Sequence, residues 1–199
     1  MNDIYRTIAE NNKAIYTEKR SKFIAYAFPV QTVDEVKTEI DKLRKEYYDA
    51  RHVCWAYMLG ADRKEFRAND DGEPSGTAGK PILGQINSNE LTNILIAVVR
   101  YFGGIKLGTS GLIVAYREAA TEVLAGAEVI ERTVDMQVSF GFEYPFMNDV
   151  MKIVKDMEPA IISQIYDMNC SMMLEIRKAQ FDELRSRLEK VETLRFIEE

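Results

Sequence analysis

Two glycine-rich stretches carry the residue types that can hold an anion. Residues 103–111 read Gly103, Gly104, Ile105, Lys106, Leu107, Gly108, Thr109, Ser110 and Gly111, between an apolar run and an amphipathic one. In a strand-loop-helix arrangement the loop amides point toward a ligand at the positive end of the helix dipole, and glycines let that ligand approach closely. Thr109 and Ser110 can cap the helix or touch a phosphate, and Lys106 adds positive charge. The spacing is neither that of a Walker loop, which needs Gly-x-x-x-x-Gly-Lys-Ser/Thr, nor that of a dinucleotide fingerprint. Many glycine-rich turns only reverse the chain or allow close packing. A second loop, Gly76, Thr77, Ala78, Gly79 and Lys80, also precedes a predicted helix, and with Arg100 the two loops are expected to frame one basic pocket. From Arg51 to Arg117 there are eight basic and six acidic residues, which favours this segment as the electrostatic footprint. The expected phosphate- or nucleic-acid-binding residues are Gly76, Thr77, Gly79, Lys80, Arg100, Gly103, Gly104, Lys106, Gly108, Thr109 and Ser110.

Other constellations point to chemistry less directly. Asp70, Asp71 and Glu73 are oxygen ligands suited to a hard cation, but the run Asn69, Asp70, Asp71, Gly72 is also good turn chemistry and lacks the spacing of an EF-hand. His52 and Cys54 lie two apart and share one strand face, as a nucleophile pair would. Val53, Trp55 and Tyr57 on the opposite face describe a covered strand, so the pair reads as core. Ser75 and Lys80 invite a Ser-Lys hydrolase reading, but no third partner or oxyanion donor follows from spacing. No catalytic residue, metal ligand or cofactor is assigned.

The elements that must position these loops follow from periodicity. Phe23, Ala25 and Ala27 alternate with Ile24, Tyr26 and Phe28 before Pro29, which predicts a strand. Thr32 to Glu35 match a capping box, and Val33, Val36, Ile40, Leu43 and Tyr47 recur at helical spacing. A strand is expected over residues 52–59, a hairpin partner over 65–68, a loop from 69, and a short helix over 81–88 with Pro81 in its first turn. Residues 93–102 read as a central strand, and Leu112, Ala115, Tyr116, Ala119, Val123 and Leu124 as a helix ending near Gly126. Residues 128–133 read as a joint, giving domains over 1–131 and 132–199. Beyond the joint the predicted order is strand 136–142, helix 146–157 stopped by Pro159, strands 160–168 and 171–177, a helix through Phe181, Leu184, Leu188 and Val191, and an edge strand at 194–197. That β-α-β-β-α-β order is ferredoxin-like.

The totals bound the answer. A chain of 199 residues with 46% hydrophobic content can bury one large core or two small ones. Its net charge of −6 gives no global attraction to nucleic acid, so any such binding needs a local patch. Residues 1–131 hold 17 basic and 19 acidic side chains and the remainder 9 and 13, so the first segment is the place to look. Two cysteines, Cys54 and Cys170, each within an apolar run, argue against a disulfide framework. The first ten residues lack the apolar core of a secretory signal. The longest apolar run, 94–99, falls far short of a bilayer span. A soluble, cytoplasmic protein is expected.

Three segments together resemble the IMPACT family, in its bacterial YigZ-like branch: Ser21-Lys22-Phe23-Ile24-Ala25; Asn69-Asp70-Asp71-Gly72-Glu73-Pro74-Ser75-Gly76-Thr77-Ala78-Gly79-Lys80-Pro81; and Val98-Val99-Arg100-Tyr101-Phe102-Gly103-Gly104-Ile105-Lys106-Leu107-Gly108-Thr109-Ser110-Gly111-Leu112 with Ala115-Tyr116. The resemblance implies an α+β protein of two domains. The first would be an N-terminal α/β sandwich like the second domain of ribosomal protein S-five, and the second a ferredoxin-like domain resembling domain V of elongation factor G. It also implies a non-enzymatic, translation-associated role with RNA, the ribosome or a translation factor as partner. Eukaryotic members act in the amino-acid starvation response through a further N-terminal domain, and that partnership is not carried over. Two other classes stay open. One is a phosphate-ligand or nucleotide-dependent enzyme, because GHMP small-molecule kinases use a related fold. The other is a protein-interaction scaffold of the stress response, with the acidic second domain as its contact face.

Overall fold

The computed structural model describes residues 3–197. The chain forms two compact units, Tyr5–Arg132 and, separately, the residues from Thr133 onward together with Asp3 and Ile4. The architecture is α+β, with three antiparallel or two-stranded sheets and five α-helices among the described residues.

The first unit is built on a five-stranded sheet of order β2-β3-β6-β4-β5, in which β2 is Asn12–Glu18, β3 Ser21–Pro29, β4 His52–Leu59, β5 Glu65–Asn69 and β6 Ile94–Tyr101. All four neighbouring pairs are antiparallel. The central strand β6 is buried at every position but its last, which is why it reads as a continuous apolar run rather than an alternating one. Helix α1 (Val33–Glu46) covers one face, its Val36, Ile40 and Leu43 sharing a core with Ile24, Phe28, Leu95 and Val99. Helices α2 (Gly79–Ser88) and α3 (Gly108–Ala125) cover the other, where Ile82, Ile86, Tyr116, Ala119 and Val123 pack with Phe23, Cys54, Ile96 and Val98. The capping box at α1 forms with one change of partner: Thr32 Oγ1 accepts the Glu35 amide at 3.2 Å, and the Glu35 carboxylate accepts the amide of Gln31, at 2.7 Å, instead of that of Thr32.

Three differences from the sequence reading stand out. Two strands precede β3, namely β1 (Ile4–Ile8) and β2, in a stretch whose mixed polar alternation gave no strand signal. The segment expected to be a joint is strand β7 (Val129–Thr133), which pairs with β1 in a two-stranded ribbon, helped by the Ala9 amide donating to the Glu128 carbonyl at 2.9 Å. Most of β7 is exposed, so no apolar alternation marks it; its partner lies some 125 residues earlier and only the folded chain reveals it. Helix α2 begins at Gly79, two residues before Pro81, so the proline occupies its first turn without being its first residue.

The second unit carries β8 (Asp135–Glu143), a 3₁₀ turn at Tyr144–Phe146, α4 (Met147–Met157), β9 (Ala160–Ile165), β10 (Asn169–Arg177), α5 (Lys178–Leu188) and β11 (Arg195–Ile197). The sheet order is β11-β8-β10-β9. Alternate residues of β8 and β10, Val138, Phe140, Phe142, Met172, Leu174 and Ile176, face a core shared with Val150, Val154, Leu184 and Leu188 of the helices. Helix α4 ends where Glu158 turns left-handed, φ 51°, ahead of Pro159.

Candidate anion-binding end of the first unit

Register gathers the glycine loops at one end of the five-stranded sheet. His52 at the start of β4 pairs with Arg100, and Lys22 near the start of β3 pairs with Tyr101. The loop leaving β5 at Asn69 and the loop leaving β6 at Tyr101 therefore emerge side by side, each leading into a helix on the same face.

The first loop is closed around its own carboxylate. Asp70 Oδ2 accepts the Gly76 amide at 2.8 Å, and Oδ1 accepts those of Ala78 and Gly79 at 3.1 and 2.8 Å. Burial alone would raise the Asp70 pKa, but the amides of Gly76, Gly79 and Ala78, with Lys80 nearby, outweigh it and hold the group below its ordinary value. An anion does sit on this glycine turn, and it belongs to the protein. Thr77 is buried, with its hydroxyl donating to the Pro74 carbonyl at 2.6 Å. Gly79 has no room for a larger residue, since a Cβ would lie 2.6 Å from the Asn69 nitrogen. Lys80 is exposed, its stem lying against Gly76.

Arg100 is not an open cation. It is 8% exposed, and Nη1 donates to Glu73 Oε1 at 2.6 Å. Its guanidinium carbon lies 5.6 Å from the Phe23 ring centroid and 5.8 Å from that of Phe102, so the charge is flanked by aromatic rings. The Tyr116 hydroxyl, from α3, donates to the same Glu73 oxygen at 2.8 Å. The Cys54 sulfur lies 3.3 Å from that hydroxyl and 3.0 Å from the Asp70 carbonyl. One buried network thus ties the first loop, β4, β6 and α3 together. Burial pushes the Cys54 thiol far up, and the Tyr116 phenol likewise, which is the opposite of nucleophile activation.

The three acidic side chains of the loop therefore each accept from a different set of groups within the protein. Asp71 Oδ2 accepts the Val53 amide at 2.7 Å and Oδ1 accepts from Arg44 at 2.9 Å, while its carbonyl lies 2.8 Å from His52 Nδ1. His52 and Cys54 are both engaged with this loop's backbone, and each supports its shape.

The second loop is different. Gly103 donates its amide to Ser21 Oγ at 3.1 Å and is wedged against the Arg20 backbone, where a Cβ would come within 2.0 Å. Beyond it the chain is open: Gly104, Lys106, Gly108, Thr109 and Ser110 are all exposed. Gly104 and Gly108 adopt φ of 86° and 73° with open space around them. Helix α3 starts without a side-chain cap and without an acidic residue in its first turn. Its first residues, Gly108, Thr109 and Ser110, are exposed and follow Lys106 closely in sequence, and the positive end of a helix dipole favours anions.

Of the eleven residues picked out by type and spacing, the structure brings all to one end of the sheet and divides them by role. Gly76, Thr77, Gly79, Arg100 and Gly103 have internal partners, while Lys80, Gly104, Lys106, Gly108, Thr109 and Ser110 face outward. The physical reason is that sequence pattern counts donors but not the acceptors that fold onto them. Asp70 and Glu73 are those acceptors, and Tyr116, read only as a helix core residue, completes the network.

The Impact N-terminal domain model matches residues 19–124, which span the sheet from β3 through α3. An IMPACT family member of Haemophilus influenzae is 32% identical over 90% of this chain and 88% of its own length. The IMPACT family member YigZ of Escherichia coli is 32% identical over 85% of this chain and 84% of its own. A crystal structure described as that of a hypothetical protein superimposes with a TM-score of 0.76 at 29% identity, covering 100% of both chains. With both loops inside the matched segment and the similarity running on into the second unit, the chain belongs to the IMPACT family as a bacterial YigZ-like member.

Proposed function

We propose that this chain is a translation-associated binding module, not an enzyme, that docks on RNA through the backbone amides and cations at the start of α3. The observation that carries the proposal is the exposed, uncapped, acid-free first turn of α3 behind an open glycine loop bearing Lys106. Gly104, Gly108, Thr109 and Ser110 are the contact residues in this reading, with Lys106 and Lys80 as its cations. Gly76, Thr77, Gly79 and Arg100 hold the platform in shape. The ribosome or a translation factor carrying the same phosphate chemistry is the setting the family resemblance suggests, and the cytoplasm the compartment; no helix among the described residues is long and apolar enough to cross a membrane.

The finer fold assignments belong to the same proposal. The strand order β11-β8-β10-β9 with two helices supports a ferredoxin-like second domain of the type of domain V in elongation factor G, its boundary read from the sequence at 131/132 and lying one residue from the division of the compact units after Arg132. The helix-covered antiparallel sheet of the first unit supports the likeness to the second domain of ribosomal protein S-five.

The test is a titration with labelled single-stranded RNA at low and moderate salt, alongside ATP with magnesium. Binding that weakens with salt and is reduced by Lys106→Ala and by Lys80→Ala supports the module. Saturable ATP turnover would transfer the site to the kinase-like reading, and indifference to both ligands would favour a protein scaffold.

A further inference from the structure

We propose that the Phe102 ring is a base-stacking plate, so that the ligand of this end is single-stranded RNA held by an unpaired base as well as by phosphate. This rests on the RNA reading above and adds the base contact to it. Phe102 follows directly on β6, a strand buried at every position but its last, yet Phe102 is 58% exposed. The Arg100 guanidinium carbon stands 5.6 Å from the centroid of the fully buried Phe23 ring and 5.8 Å from that of Phe102, so Phe102 is the outer ring of this cluster. The Arg100 side chain is only 9% exposed; Nη1 donates to Glu73, while Nε is buried and has no hydrogen-bond partner among the described residues. An open aromatic face beside a desolvated cation is the kind of surface on which nucleobases stack.

The charges around the ring select the occupant. Gly103, next in the chain, packs on the Arg20 backbone and donates its amide to Ser21 Oγ at 3.1 Å, and Lys22 pairs with Tyr101. The turn between β2 and β3 therefore lies beside this stretch and brings Lys19, Arg20 and Lys22 to it, while Lys106 follows Phe102 by four positions. All four cations are exposed, and none has an ion-pair partner among the described residues. The neighbouring carboxylates are already engaged. Glu18 accepts from the Tyr16 hydroxyl at 3.2 Å, Asp49 from the Tyr101 hydroxyl at 2.6 Å, and Glu73 is buried. One nucleotide supplies both a flat face for the ring and an anion for its surroundings. A double helix supplies the anion alone, because its bases already stack on one another, and an acidic peptide brings charge without a base. Shielding Arg100 from water is a structural role that leucine would fill as well, so substitution separates the two roles.

Fluorescence titration of the full chain with a single-stranded RNA of about 10 nucleotides, in which 2-aminopurine replaces one base, reads stacking directly because that base is quenched when it stacks. Wild type should quench it and bind about tenfold tighter than to an abasic strand of equal length, and annealing a complementary strand should weaken binding. Phe102→Leu keeps cover over Arg100 and removes the flat face. It should lose the quenching and about tenfold in RNA affinity, while circular dichroism, affinity for the abasic strand and the dependence on salt stay as in wild type. Phe102→Trp should retain both quenching and affinity. Lys106→Ala should instead weaken RNA and abasic strand alike. If Phe102→Leu quenches and binds as wild type does, or if abasic strand or duplex binds as tightly as RNA while Lys106→Ala still weakens them, the base contact is overturned and the phosphate reading stands. A chain that binds neither RNA nor abasic strand overturns both readings together. Binding of a poly-glutamate peptide as tight as that of RNA, and unaffected by Phe102→Leu, would assign this end to a protein partner and overturn the proposal as well.

Discussion

Glu73 accepts hydrogen bonds from two groups that would otherwise be buried without one oxygen between them, the guanidinium of Arg100 and the hydroxyl of Tyr116. Removing one member of a buried ion pair leaves the other uncompensated, a loss of about 3–5 kcal/mol. Glu73→Ala should therefore lower the urea unfolding free energy by about that amount. A measured loss below about 1 kcal/mol would show that the pair is solvated after all. The far end of the chain offers a second case. Asp3 accepts from Arg177 Nη2 and Nε, at 2.6 and 2.7 Å, and from the Ala179 amide at 3.1 Å, so a residue from the N-terminus caps α5. The Arg177 hydrogen bonds lower its pKa to about 2 against an ordinary 3.8. Because the folded value is the lower one, the stability contribution is present above pH 3.8 and is lost as pH falls toward 2. Asp3→Asn should lower Tm at pH 7, and the gap from wild type should close in that acid window; a gap that persists below it would assign the effect to packing instead of charge.

At the scale of elements, the helix ends differ in how their first amides are satisfied. α1 is capped by Thr32 and Glu35, and Thr32→Ala should destabilise the first unit by about 1 kcal/mol in urea titration, as loss of such a cap generally does. α3 has no side-chain cap, and its entry depends on two glycines of opposite character. Gly103 admits no Cβ, because Arg20 backbone atoms would stand 2.0 to 2.3 Å away, whereas Gly108 has open space and a φ of 73°. Gly103→Ala should therefore disturb the β3-β6 end of the sheet and expression with it. Gly108→Ala should cost only about 1 kcal/mol of backbone strain and leave the fold intact. If the α3 entrance binds phosphate, Gly108→Ala should nonetheless weaken RNA binding, because the added methyl group crowds the amides. Unchanged affinity in that folded variant would remove the entrance from the site.

For the molecule as a whole, a net charge of −6 means that RNA affinity must come from a small footprint. If Lys106, Lys80 and the α3 amides bind RNA as proposed, about two to three phosphates would be engaged. The plot of log affinity against log salt should then fall with a slope between about −1.4 and −2.1, since each phosphate on a single strand contributes roughly −0.7. A flat plot would exclude phosphate contacts, and a slope several times steeper would bring in further exposed cations at this end, such as Lys19, Arg20 and Lys22. Much of this was legible before folding. The apolar run of β6, the capping box of α1 and the alternation in β8 and β10 fixed most elements, since burial on one or both faces writes its period into the chain. The loops at 76–80 and 103–111 were equally legible, since glycine at positive φ and short polar side chains mark such turns in advance. Where each donor finds its acceptor was not legible. Asp70 closing on the amides of 76–79, Glu73 neutralising Arg100, Asp3 capping α5 and β1 pairing with β7 all join residues between about 6 and 176 positions apart. A periodic pattern records which face is buried, but a hydrogen bond or ion pair depends on where two distant atoms come to rest, and only the tertiary structure decides that.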